Sequence, residues 1–70
     1  MSYSQPYHLG FDVGRYLLHQ FGDELVYDEL AKKSLDFPHT FNVAVNPENI
    51  EQRAQFLQGV GAGYQFEMHQ

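Results

Sequence analysis

A chain of 70 residues that contains no cysteine must hold its fold without disulfides. A domain of this size buries only about 60% of the surface that its unfolded chain exposes. The free energy gained by burying the core therefore exceeds the cost in conformational entropy by only a small margin. The missing cysteine also excludes zinc–thiolate sites, iron–sulfur clusters and thiol catalysis. The length predicts one domain, which we place at residues 7–70 behind a flexible lead at residues 1–6.

Three segments alternate apolar and polar side chains, a pattern that is typical of strands with one buried face. They are residues 7–11, 41–45 and 64–68. The first is weakened by Gly10, and the second is the clearest because Phe41, Val43 and Val45 are all strand formers. The alternation therefore predicts a small sheet of two or three strands.

Helical patterns lie between these segments. Asp12 is a good N-cap for a helix that runs to Phe21, where Gly22 interrupts the pattern. Residues 23–34 have the spacing of a second helix, with acids early and Lys32 and Lys33 late, as the helix dipole favours. One long helix bent at Gly22 is the alternative.

The last predicted helix begins at Asn46-Pro47-Glu48, which combines a cap, a first-turn proline and a first-turn acid. We expect it to run to about Gln58, with Ile50, Ala54 and Leu57 facing inward. Glycines at positions 59, 61 and 63 are expected to end it in a tight turn. A phosphate-binding loop would need a strand before these glycines and a helix after them, which is the reverse of this order.

The sequence thus predicts an α+β fold, a small two- or three-stranded sheet with two or three helices packed on one face. If the strands at 41–45 and 64–68 are parallel, their crossover should be right-handed. A small sheet leaves edges that pair with other chains, and five Tyr and six Phe are many rings for one small domain to cover. Both features predict a homodimer.

The net charge of the chain makes some binding partners unfavourable. The net charge of −5 disfavours direct binding to nucleic acid or to anionic membranes. No apolar run is long enough to span a bilayer, so we expect a cytoplasmic protein.

Two groups of residues have side chains suited to metal binding or to catalysis, but their arrangement in the sequence does not favour either function. The four histidines, His8, His19, His39 and His69, show no metal-ligand spacing. Ser34, Asp36, His39 and Thr40 place a nucleophile, an acid and a base close together, yet such residues in a proline-containing connection usually form turn hydrogen bonds. We therefore predict no catalytic residue, no metal and no cofactor.

The leading hypothesis about function rests on the acidic residues. Asp23, Glu24, Asp28 and Glu29, with Tyr27 among them, would form one acidic helix face that binds a basic protein partner. Such a face imitates a row of phosphates, so the chain is interpreted as a non-enzymatic interaction module, an inhibitor that docks on a nucleic-acid-binding surface. Small acidic inhibitors from mobile genetic elements, including phage-like ones, have this size and charge.

Three other interpretations stay open. In the simplest interpretation, the acidic residues form a solvated helix face that binds no partner. The chain is otherwise a structural or accessory subunit that homodimerises or joins a larger assembly. The third alternative is a small metal-binding or enzymatic domain that uses the histidines.

Overall fold

The computed structural model describes residues 5–36 and 48–70, and 87% of these described residues are helical. These residues form three α-helices and no strand: α1 is Gln5–Phe21, α2 is Tyr27–Leu35 and α3 is Ile50–Met68. A 3₁₀ turn, Gly22–Glu24, follows α1 and leads into the extended residues Leu25 and Val26. The predicted α+β fold is therefore wrong, and the described residues pack as a helical bundle.

The pairing of α1 with α3 is the main contact of the bundle, and the two helices run parallel. Gly10 of α1 lies against the backbone of Phe56 in α3. One turn later, Gly14 lies against the backbone of Val60. Residue numbers rise together along both helices, which happens only when the helices point the same way. The first residues of α3 therefore lie at the same end of the bundle as the first residues of α1.

Four glycines form the line of contact between these helices, which we call the glycine seam: Gly10, Gly14, Gly59 and Gly63. A Cβ atom on any of them would overlap a carbonyl oxygen of the other helix. The spacing of four residues keeps each pair on one helix face. A helical glycine costs roughly 1 kcal/mol relative to alanine, and close backbone packing with Cα–H···O contacts offsets this cost.

The apolar core lies beside the seam. Leu17 of α1 and Phe56 and Val60 of α3 are almost completely buried, at 1%, 0% and 1% exposure. Leu30 of α2 belongs to the same buried cluster. Because α2 has few other buried side chains, it is joined to the bundle by a much smaller surface than α1 and α3 share.

The predicted last strand is wrong, and so is the predicted helix end before it. Gly59, Gly61 and Gly63 lie inside α3, which continues through residues 64–68. In a strand, Tyr64 and Phe66 would lie on the same face, whereas side chains two positions apart in a helix point about 200° apart. Tyr64 is 4% exposed and Phe66 is 48% exposed, which is the helical arrangement, so the apolar–polar alternation of the sequence does not correspond to two faces of a strand.

The predicted first strand is also wrong. Residues 7–11 belong to α1, and Asp12 lies inside this helix instead of capping it. The helix begins at Gln5 with Pro6 buried in its first turn, where a missing N–H costs nothing. Residues 1–4 lie outside the described part.

The third helix begins later than expected. Asn49 is its N-cap and accepts a hydrogen bond from the Gln52 N–H at 3.1 Å. The predicted start at Asn46 and Pro47 and the predicted strand at 41–45 lie outside the described residues. The predicted inward stripe is wrong at two of three positions, because Ile50 and Ala54 are exposed and Leu57 alone packs against the core.

The predicted break at Gly22 is confirmed. This glycine has a φ of +77°, a left-handed conformation that suits glycine at a helix end. The second helix then begins at Tyr27, four residues later than predicted, and ends at Leu35. Its first turn holds Asp28 and Glu29 instead of the predicted Asp23 and Glu24, and its last turn holds Lys32 and Lys33 as predicted.

Candidate functional site

The five predicted partner-binding residues fall in one stretch of chain, residues 23–29, which we call the acidic segment. All five are exposed: Asp23, Glu24, Tyr27, Asp28 and Glu29. They do not share one helix, because the 3₁₀ turn holds the first two and the first turn of α2 holds the others. The predicted acidic helix face is therefore a turn followed by a helix start.

Tyr64 attaches the acidic segment to α3. Its hydroxyl donates a hydrogen bond to the Gly22 carbonyl oxygen and accepts one from the Leu25 N–H at 3.2 Å. These two backbone groups flank the 3₁₀ turn, so one buried side chain holds both ends of it. Sequence analysis assigned Tyr64 to a strand and missed this role; its distance of 39 residues from Leu25 left no local signal.

Two large apolar side chains project from the acidic segment. Val26 is 59% exposed and Tyr27 is 60% exposed. Asp28 and Glu29 follow in the first turn of α2, where the positive end of the helix dipole stabilises carboxylates. The segment therefore combines negative charge with apolar surface on a backbone fixed by Tyr64.

A groove of about 310 Å³ lies next to the segment, between α2 and α3. It is lined by Leu25, Tyr27, Leu30, Gly61, Tyr64, Gln65, Met68 and His69. This lining is mostly apolar or aromatic and includes no lysine or arginine. Tyr27 belongs to both the acidic segment and the groove, so the two features form one continuous surface.

The hydrolytic constellation is only partly described. Ser34 is completely buried, and its hydroxyl donates to the Ala31 carbonyl oxygen at 2.7 Å. This is the local turn bond expected of such a serine, and it leaves the hydroxyl without access to a substrate. His39 and Thr40 lie outside the described residues.

Three histidines lie in the described part. His8 stands edge-on to the Tyr7 ring, His19 contacts a carboxylate of Glu67, and His69 lines the groove. Within residues 5–36 and 48–70, no three His, Asp or Glu side chains are grouped as metal ligands would be.

A second polar cluster joins α1 to α3 on the side chain of Glu67. Arg15 Nε donates to Oε1 at 2.8 Å, and His19 Nε2 lies 2.7 Å from Oε2. The hydrogen bond from Arg15, followed by that from His19, lowers the pKa of the Glu67 carboxyl below its ordinary value. Arg15 also lies over the Phe66 ring. This cluster connects the late turns of the parallel helices.

Comparison with known protein families, with curated proteins and with solved structures finds no match to this chain. None of the helices in the described part is both long enough and apolar enough to cross a membrane. The surface itself is therefore the basis for any argument about function.

Proposed function

We propose that this chain is a non-enzymatic protein-interaction module that docks its acidic segment on a basic surface of a partner protein. The observation that supports it is the segment's construction: four exposed carboxylates surround Val26 and Tyr27 on a backbone held by Tyr64. A surface that is already ordered loses less conformational entropy on binding than a flexible one.

Charge and apolar contact would contribute to different steps of docking. A net charge of −5 with acids grouped in seven residues attracts a positive surface and raises the association rate. Tyr27 would supply the desolvated anchor that slows dissociation. A clustered basic surface is the electrostatic footprint of a nucleic-acid-binding protein, so an inhibitor of such a protein is the form of this function that we favour.

The test is a charge reversal, Asp28→Lys with Glu29→Lys, used in affinity capture from the native host's lysate. The matched control is Glu48→Lys with Glu51→Lys, which changes the net charge equally and also lies at a helix start. We expect the parent and the control to capture the same basic protein at low salt, and the acidic-segment variant to lose it.

Binding of the parent should also weaken as salt is raised, because exposed charges are screened within about 10 Å at 0.1 M salt. If the acidic-segment variant captures the partner as well as the parent does, the acids are a solvated surface and the proposal is wrong.

Self-association is the second candidate, and it is favoured by half-exposed apolar side chains away from the acidic segment. Tyr16 and Phe21 on α1 are each 49% exposed, and Phe66 on α3 is 48% exposed. The sheet-edge route to a dimer has no basis in the described residues, so a dimer would form through helix faces. Sedimentation that shows only monomer at high micromolar concentration would exclude it.

A further inference from the structure

We infer that the groove between α2 and α3 receives one large aromatic side chain from the basic partner, flanked there by lysine or arginine. This inference rests on the proposed function and adds the chemistry of the partner's contact segment. It follows from the size of the groove, from its lining and from the charges near it.

The size of the groove suits a side chain better than a cofactor. Its volume of about 310 Å³ is at the lower end of the ~300–1,000 Å³ typical of small-molecule sites. Leu25, Leu30 and Tyr64 give it a buried or half-buried apolar wall. Met68, at 38% exposure, adds a flexible thioether that adapts to an aromatic ring. Aromatic side chains in such pockets carry much of the energy of protein interfaces.

The charges near the groove indicate which kind of partner segment it would bind. Glu24 directly precedes Leu25, and Asp28 directly follows Tyr27, so two exposed acidic residues are chain neighbours of residues that line the groove. No lysine or arginine is among the residues that line the groove. A second copy of this chain is a poor occupant, because each copy has a net charge of −5. The complementary occupant is an aromatic residue with basic neighbours.

The probe is a short synthetic peptide rich in lysine and arginine with a single central tryptophan. The protein contains five tyrosines but no tryptophan, so emission excited beyond the tyrosine absorption band reports only the peptide. We expect a blue shift on binding, and an affinity roughly tenfold or more above that of the same peptide with alanine in place of tryptophan. Equal affinities for the two peptides would overturn the inference.

Gly61→Leu blocks the groove without disturbing the glycine seam. A Cβ at Gly61 would make only an ordinary contact, 3.8 Å from Tyr27 Cε2, and the rest of the leucine would extend into the groove. Leucine is also a better helix former than glycine, so folding should be kept. The matched control is Gln58→Leu, an exposed position of α3 that does not line the groove.

We expect Gly61→Leu to abolish the blue shift and to reduce the affinity for the tryptophan peptide to that for the alanine peptide. Gln58→Leu should bind as the parent does. If Gly61→Leu binds with an unchanged blue shift while Asp28→Lys with Glu29→Lys still weakens binding, the groove inference is wrong and the proposed function stands. If the charge reversal has no effect on either peptide, the proposed function fails as well.

Discussion

The glycine seam and the acidic segment are held to the same helix, α3, by opposite means. At the seam, Gly10 and Gly14 approach the backbone of α3 so closely that no side chain fits between them. At the acidic segment, the backbone stands away from α3 and is held by the hydroxyl of one long side chain, Tyr64. The first contact is continuous, whereas the second consists of two hydrogen bonds and the packing of Leu25 against the core.

This difference separates folding from binding. A backbone-to-backbone contact tolerates no added atoms, because carbonyl groups cannot rotate out of the way as flexible side chains can. A segment held through Tyr64 and Leu25 leaves its other side chains exposed and open to substitution. We therefore expect substitutions in the seam to affect stability and substitutions in the acidic segment to affect binding.

The largest expected effect is at the seam. Gly63→Ala places a Cβ against the Phe11 carbonyl oxygen, and we expect it to destabilise the fold by about 2 kcal/mol or more. Gly61→Ala, two residues earlier in the same helix, meets only Tyr27 and should stabilise the fold by about 0.5–1 kcal/mol. Denaturant unfolding of both variants measures the difference.

The two alanine variants reduce the entropy of the unfolded chain equally. Any difference between them therefore reports the folded state. If Gly63→Ala is as stable as Gly61→Ala, the helices do not meet along the seam.

Tyr64→Phe sharpens the other half of the comparison. It keeps the ring and removes the hydroxyl that bonds Gly22 and Leu25, so we expect a loss of about 1–2 kcal/mol. Hydrogen exchange at the Leu25 amide should accelerate by more than the loss of global stability explains. Unchanged exchange at Leu25 would show that the acidic segment is held by other contacts.

Asn49→Ala removes the N-cap of α3. This end of the helix is the one far from Tyr64, which holds the acidic segment, and from the Glu67 cluster. The lost hydrogen bond to the Gln52 N–H should cost about 1 kcal/mol without changing affinity for a basic peptide. Asn49→Ser, which retains a capping oxygen, should recover most of the stability. A binding defect in Asn49→Ala would indicate that the start of α3 contributes to docking.

The smallest effect is that of Glu67, and it depends on pH. Because the folded pKa of this carboxyl is lowered from 4.5, its stabilisation is complete above the unfolded value and is lost as the pH falls through the folded value. The stability difference between the parent and Glu67→Gln should therefore be largest near neutral pH and vanish in strong acid. A difference that stays constant across this range would mean that the contacts with Arg15 and His19 do not form.

The seam was visible in the sequence, although it was interpreted differently. Gly10 and Gly14 repeat the four-residue spacing of Gly59 and Gly63, which marks a close helix pair. Single-residue rules treat glycine as a helix end, and they held at Gly22, where the backbone turns left-handed. They failed at Gly59 because tertiary packing, which no local pattern contains, offsets the helix penalty.

The five residues predicted to bind a partner are all exposed, although they lie on a turn and a helix start instead of on one helix face. Exposure follows from composition, since clustered acids avoid burial. The attachment to Tyr64 and the groove that Gly61 and Met68 line could not be predicted, because both depend on how α2 and α3 meet. The strand assigned to residues 64–68 also removed these residues from consideration as groove walls.

The positions of Tyr64, the groove and the Glu67 cluster all depend on the parallel pairing of α1 with α3. The most direct test is NMR of the labelled protein, with nuclear Overhauser contacts measured from the Gly14 Hα protons. The structure predicts contacts to the Tyr64 amide and to Val60, together with helical sequential contacts through residues 64–68. Gly14 contacts confined to its own helix, or strand-type contacts at 64–68, would contradict the account.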